Sequence, residues 1–261
     1  MVSKLAYNKE ESKRTEQAYL SPEIVRQRER TLEAINPQSG EQIVDIGCGP
    51  GLLARELAVA VGDKGCIIGA DSSASMIELA EKRCSQFSNI AFVECDATDL
   101  DIEDASTDVV TCVQVLLYIA DVEKALAETH RILKPDGRAI IMETDWRSAV
   151  LNSNDEVLTE KIIEAWDKSV PSPRLPARLD PLLRGAGFKC IQVEAFPLLS
   201  TDCTPGGYSM AMMTQCAEAA CDQGIITKPE SQDWLEELAR LGAEDAYFFC
   251  VNRFLFSAVK R

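Results

Sequence analysis

The chain has a single histidine, His130, among 261 residues, and no two cysteines stand in a CxxC spacing. Transition-metal centres want imidazoles or paired thiols, so this scarcity argues against a resident metal. No run of apolar residues approaches the ~18 that a membrane-spanning helix requires. The first ten residues, Met1 to Glu10, are polar and lack an apolar signal core, so a cytoplasmic protein without membrane insertion is expected. Basic residues are in deficit, 27 Lys and Arg against 42 Asp and Glu, for a formal net charge of −15. A long polyanion is normally met by a basic stripe, and none is visible; nucleic acid is not an expected partner. The acidic balance reads as a soluble surface, with a cationic substrate the weaker alternative. Internal repeats and low-complexity tracts are also missing.

Ten cysteines are present, yet their places do not suggest a disulfide set. Cys66, Cys95 and Cys112 fall in apolar runs that read as buried strands, and Cys48 sits in a glycine loop. Buried free thiols act as small hydrophobes in a reducing compartment.

What is there is a core-forming chain, 46% apolar, of a length that suits one α/β domain with a decorated lid. Residues 8–35 read as helix, with Ser21 as a cap and Pro22 in the first turn. Strands at Gln42–Ile46, Gly65–Ala70, Ile90–Glu94, Asp108–Val113 and Ala139–Glu143 alternate with helices at Leu52–Val61, Ala74–Phe87 and Val122–Leu133. That alternation gives a parallel, doubly wound sheet. Helices at Asp155–Ser169 and Ala177–Ala186 lead to a strand at Ile191–Phe196. Two more helices, Tyr208–Gln223 and Gln232–Leu241, precede a closing strand at Tyr247–Val259. The expected organisation is an N-terminal helical cap, 1–39, on a main domain, 40–261. Its sheet has seven strands with the last antiparallel, and a helical lid is inserted at about 200–245.

The strongest local signal is Val44-Asp45-Ile46-Gly47-Cys48-Gly49-Pro50-Gly51, which leaves a strand and opens a helix. Glycines there let backbone approach a ligand closely, and a helix start offers N–H groups. Asp71 ends the second strand 20 residues after Gly51, where a carboxylate meets ribose hydroxyls. Asp96 ends the third strand and is placed to accept from an adenine amino group. An acidic first loop suits pyrophosphate poorly; Asp45 suits the ammonium of an amino acid.

These pieces, with Gly69-Ala70-Asp71, Asp96-Ala97-Thr98, Asp108-Val109-Val110 and Arg131-Ile132-Leu133-Lys134-Pro135-Asp136-Gly137, lie in order over about residues 40–143. The chain resembles the class I S-adenosylmethionine (SAM)-dependent methyltransferases, in the branch holding the ubiquinone and menaquinone C-methyltransferases. The resemblance implies a Rossmann-like fold, SAM as cofactor and S-adenosyl-L-homocysteine (SAH) as product. It implies that Gly47, Gly49 and Gly51 frame the methionine part. Asp71, with Ser72 beside it, holds the ribose; Met76 packs near the adenine; Asp96 and Ala97 bind its edge; Gln114 lies by the sulfonium. Pro135-Asp136-Gly137 replaces the family's usual Pro-Gly-Gly at a structural turn. Plainer roles compete: Asp71 as a helix cap, Asp96 as a turn former, Met76 as core, Gln114 as a strand-end polar residue.

Methyl transfer is an in-line displacement, and holding the acceptor against the methyl supplies effective molarities of ~10⁵ M or more. A base is needed only if the acceptor must lose a proton. His130 is placed late in a helix, away from the sheet's carboxyl end, and is not that base. Glu143-Thr144-Asp145-Trp146 leaves the fifth strand towards the ligand crevice. Asp145 is a candidate to orient or deprotonate an acceptor, Trp146 to wall its pocket, and Tyr118 to stand on the same wall; the alternative has Asp145 capping a turn and Trp146 packing under the lid. Tyr7 and Tyr19 are candidates to cover the cofactor, and Tyr208, Met210, Met212 and Met213 open a lid helix. The acceptor is expected between the 144–146 loop and that helix. A small aromatic or apolar molecule is favoured, with O-, N- and C-methylation all open. The nucleic-acid amine motif is missing after the fourth strand, and only Cys203, Cys216 and Cys221 are loose candidates for an arsenite site. The alternatives are a non-catalytic SAM-binding sensor or scaffold and a nicotinamide-dependent reductase.

Overall fold

Continuous apolar runs such as Ile43-Val44 and Val109-Val110 suit strands buried on both faces, the condition of a parallel sheet covered by helices. A computed structural model describes residues 15–204 and 206–261 and has that arrangement. Strands β1 (Gln42–Ile46), β2 (Cys66–Asp71), β3 (Ile90–Glu94), β4 (Thr107–Val113) and β5 (Leu133–Thr144) pair in parallel in the order β3-β2-β1-β4-β5. The stub β6 (Val150–Leu151), β7 (Phe188–Ser200) and β8 (Phe249–Lys260) complete the sheet. β8 lies antiparallel between β5 and β7. β6 meets β8 at Cys250 and Phe249, just beyond the stretch paired with β5. It is therefore a second piece of the β5 position, an eighth strand that the expected seven did not include.

Helices cover both faces. On one, Ile35 of α1 (Pro22–Ile35) and Leu53, Leu57 and Val61 of α2 (Leu52–Val61) pack on Ile43, Ile67, Val109, Ile140 and Leu255. On the other, α4 (Val122–Ile132) and α6 (Pro176–Gly185) bury Leu126, Leu179 and Leu183 against Val44, Val110 and Ile141. α3 (Ala74–Cys84) links β2 to β3. The alternation Val44/Asp45, Val109/Val110 and Ile140/Ile141 sends successive side chains to opposite layers. A third cluster joins α5 (Glu156–Ser169), α7 (Tyr208–Asp222) and α8 (Lys228–Ala243) above the carboxyl edge, with Trp146, Trp166 and Trp234 buried in it.

Several expectations need correction. The helix expected over 8–35 is broken where described: residues 15–18 are helical, a turn follows, and α1 begins at Pro22; 8–14 lie outside the described residues. Pro22 lacks the N–H to continue an earlier helix, so a new one starts there. Ser21 holds the cap position, but its side chain makes no cap bond and its buried Oγ has no partner. Cys66 is exposed and Cys95 half-buried; Cys112 is buried as expected. α8 starts four residues earlier than its apolar spacing suggested, at a capping box between Thr227 and Glu230. All ten cysteines are free.

Candidate cofactor and acceptor site

The glycine loop turns because Gly47, Gly49 and Gly51 all take left-handed backbone, φ 68°, 51° and 76°. A side chain on Gly47 would collide with Val115, and one on Gly51 with Ala80 of α3. Gly47 and Cys48 donate their N–H groups to the Ala70 carbonyl, Gly49 to Asp71 Oδ2 and Gly51 to the Cys48 carbonyl. These loop N–H groups are spent inside the protein, while the bonding of the helix start begins only at Arg55, whose N–H reaches the Gly51 carbonyl. The Tyr19 ring lies 3.8 Å from where a Gly49 Cβ would stand, over the loop; Tyr7 falls outside the described residues.

Asp71 ends β2, half-exposed, and its other oxygen accepts from the Ser73 N–H. Burial raises its pKa, opposed by the N–H groups of Ser73, Gly49 and Ser72. Ser72 is exposed beside it. Asp45 is buried with Oδ2 unpartnered. Burial, helped by the charge of Asp71, pushes its pKa up to about 8. A buried carboxyl without a partner is costly, and a cationic ligand group would complete it. Asp96 Oδ1 accepts from the Thr98 N–H and hydroxyl, both at 2.9 Å, so the turn-forming role is real here. Ala97 is half-buried beside it, and Met76 is buried in α3. A cationic amino-acid end beside Asp45 and a diol beside Asp71 fit this donor set, and SAM carries both.

Gln114 leaves β4 with φ 60°, a left-handed conformation strained for a residue with a long side chain. Its backbone and side-chain N–H groups both reach the Met142 carbonyl, at 2.8 and 3.1 Å, and its Oε1 accepts from Thr144 at 2.6 Å. Glu143, fully buried, accepts through Oε1 from the Val115 and Leu116 N–H groups while Oε2 has no partner. Burial lifts its pKa to about 8 against those N–H groups and the charge of Arg253. Glu143 thus pins the 115–118 turn that carries Tyr118, which is half-buried against the helical cluster.

Asp145 caps the turn Trp146–Ser148 and pairs with Arg147 through both oxygens. Burial would raise its pKa, but the Arg147 contacts, with Arg174 behind them, hold it below the usual carboxylate range. A carboxylate so stabilised is a poor base. Asp167, buried, pairs with Arg174, and Ser172 donates to the carbonyls of Leu117 and Ile119. Segment 167–174 is thereby tied to the Tyr118 turn. Trp146 is buried, edge-on to Trp166 with centroids 5.9 Å apart. Tyr208, Met212 and Met213 are buried in the same cluster, and Met210 is partly so; the methionines are core. Cys203, Cys216 and Cys221 do not converge, and among the described residues no three ligating side chains do. His130 packs edge-on against Phe188, and burial lowers its pKa.

Sequence reasoning missed Arg253 and the roles of Thr144 and Glu143. The available signal was a lone cation inside the apolar run Val251 to Phe256.

A parallel α/β sheet with an antiparallel strand beside β5, and a glycine loop and two acidic strand ends on one edge, is the arrangement of the methyltransferase fold. Residues 44–141 match the model of a methyltransferase domain. An uncharacterised 37.1 kDa protein of a Streptomyces fradiae transposon is 33% identical over 80% of the chain and 60% of its own length. A demethylmenaquinone methyltransferase of Staphylococcus epidermidis is 36% identical over 45% of the chain and 48% of its own. The chain therefore spans about half to three-fifths of these curated relatives. The YcgJ protein of Bacillus subtilis shares the fold, with a TM-score of 0.62 at 20% identity over 91% of the chain and 99% of its own. Residues 44–141 therefore carry the methyltransferase-domain match, and the chain as a whole shares the fold of the solved structure.

Proposed function

We propose that the protein transfers the methyl group of SAM to a small organic acceptor at the carboxyl ends of β4 and β5, beside the amino end of β8. The observation that carries this reading is the meeting, on that edge, of the unpartnered Asp45 carboxyl, the ribose-ready Asp71 and the strained Gln114. When bound, SAM supplies an already activated methyl electrophile. Asp45, the glycine loop and Asp71 hold its amino acid and ribose ends, with Ser72, Met76, Asp96 and Ala97 on the adenine side. Gln114, fixed by Met142 and Thr144, lies at the reacting end.

An aromatic or apolar acceptor is the favoured class. Tyr118 offers an aromatic wall, with Trp146 bracing it from within the lid cluster. The chain past 200, with α7 and α8, acts as the lid that excludes water. Asp145 orients its own turn through Arg147 rather than taking a proton. The family relationship makes a sensor or scaffold without transfer activity the weaker reading, since Asp45, Asp71 and the glycine loop are all in place.

The test is twofold. Calorimetry with SAH on the protein and on Asp71→Ala should show a loss of tenfold or more, as hydrogen bonds to a charged acceptor are worth ~1.5–3 kcal/mol each. Radiolabelled SAM with a panel of phenols, amines and activated methylenes should then reveal turnover. Unchanged affinity in Asp71→Ala would remove the ribose assignment; SAH binding with no transfer to any acceptor would favour the sensor.

A further inference from the structure

Arg253 is almost wholly buried, at 2% exposure. Its Nη2 donates to the Tyr208 hydroxyl, and its guanidinium lies over the same ring, 5.0 Å from the centroid. Its Nε has no partner, and among the described residues no carboxylate reaches it as an ion pair. Buried arginines are ordinarily paired, because an uncompensated interior charge is strongly destabilising. Two buried acids lie in this neighbourhood, Glu143, which feels the charge of Arg253, and Glu23 of α1, which acts on Tyr208, yet among the described residues neither forms a hydrogen bond or ion pair with the guanidinium.

The position of this charge is as informative as its isolation. Arg253 is the register partner of Thr144, and Thr144 bonds Gln114. The three residues stand on adjacent strands β4, β5 and β8 at one edge of the sheet. Adjacent strands are ~4.8 Å apart, so Arg253 is roughly 10 Å across from Gln114. That is about the length of a substituted aromatic ring. Leu255, on the same face of β8, packs in the cluster that holds Ile35 of α1, and Gln27 of α1 is buried with its Oε1 unpartnered. A second polar group without a partner therefore belongs to the helix covering this face.

We propose that Arg253, braced by Tyr208, is the binding site for a carboxylate on the methyl acceptor, which lies across β5 with its reacting end at Gln114. The Nε–Nη2 edge of a guanidinium matches the two oxygens of a carboxylate, and the Tyr208 hydroxyl fixes the orientation of that edge. The ring under the guanidinium leaves the in-plane edge for the ligand. This inference rests on the methyl-transfer reading, which places the reacting end at Gln114.

The probes are benzoate and its neutral isostere benzamide, offered to the SAH-loaded protein and followed by titration calorimetry and by melting shift. Benzoate should bind at least fivefold more tightly than benzamide. Arg253→Met should erase that preference, and Arg253→Lys, which keeps the charge and loses the fork, should weaken benzoate several-fold. Tyr208→Phe, which removes only the hydroxyl, should weaken it less. Equal binding of the two probes overturns the assignment, as does benzoate binding that survives in Arg253→Met or, should that variant not fold, stays at full strength in Arg253→Lys. Titration with SAH alone separates the two claims. Lost SAH binding undermines the methyl-transfer reading, whereas intact SAH binding without a carboxylate preference sinks only the role of Arg253.

Discussion

Asp45 shows how burial prepares a single residue for a charged partner. Its pKa of about 8 means that most copies are protonated at pH 7 when no cofactor is bound. A ligand ammonium placed beside it favours the carboxylate. SAH binding at pH 7 should therefore release about 0.9 proton, the fraction protonated one unit below such a pKa. Calorimetry in buffers of different ionisation enthalpy reads this number directly, and it should vanish by pH 9 and in Asp45→Asn. No proton release at pH 7 would place the ammonium elsewhere. Asp45 and Glu143 also carry a stability signature. Both have folded pKa values far above the ordinary carboxylate value, so the unfolded chain loses these protons first as pH rises. Their contribution is complete below about pH 4 and is lost as pH climbs through about 8. The urea midpoint of the cofactor-free protein should fall between pH 5 and pH 9, and the double variant Asp45→Asn, Glu143→Gln should flatten that slope. At this scale chemistry and spacing singled out Asp45 and Asp71, which stand together at the glycine loop, and their hold on a cofactor is the proposal. The sequence was silent on Arg253, because only tertiary packing shows that this cation in an apolar strand makes no ion pair among the described residues.

Elements were legible where one rule governs them. α2 occupies the expected Leu52–Val61 because the glycine loop starts it and Gly62, with φ 67°, ends it. The edges of β5 and β7 were not, since β7 extends past its apolar stretch by pairing with the antiparallel β8, and β5 does so through β8 at Arg138 and Thr144 and through β4 at Leu133. β5 takes in Lys134 to Gly137 as an irregularity in its pairing with β4, where Asp136 adopts φ 63°. Pairing partners far away in sequence set such ends, and no local pattern contains them. The start of α8 was missed for a different reason: the capping box was there to be read, but the apolar spacing begins later. Thr227 accepts from the Glu230 N–H, and Glu230 from the Thr227 N–H. Thr227→Ala should cost ~1 kcal/mol and lower Tm by ~2–4 °C in a domain of this size. Calorimetric melting checks it, and because the cap is remote from the glycine loop, SAH affinity should stay within twofold. A variant that melts with the parent would show that the cap contributes nothing net.

At the scale of the molecule, Trp146 is a link between the upper edge of the sheet and the helical layer over it. Trp146 leaves β5 two residues after Thr144, which bonds Gln114, and ends buried against Trp166 of α5 in the cluster shared with Tyr208 and Met212 of α7. It is the point where the packing of the helical cluster reaches the residues proposed to lie at the methyl. Removing the ring leaves a cavity costing ~3–5 kcal/mol. Trp146→Ala should therefore melt about 10 °C lower, since each kcal/mol shifts Tm by ~2–4 °C at this length. The proposed cofactor side, β1, β2 and the glycine loop, contributes no buried residue to that cluster and meets it through the half-buried Tyr19. SAH affinity of the folded variant should thus change by less than threefold, while turnover on a working acceptor drops at least tenfold because the acceptor wall loosens. Trp146→Phe, which refills much of the space, should recover most of the stability and part of the turnover. If Trp146→Ala instead loses SAH affinity in step with activity, the helical layer supports the cofactor rather than the acceptor. If it keeps full turnover despite its lower Tm, the lid cluster has no hold on the methyl acceptor.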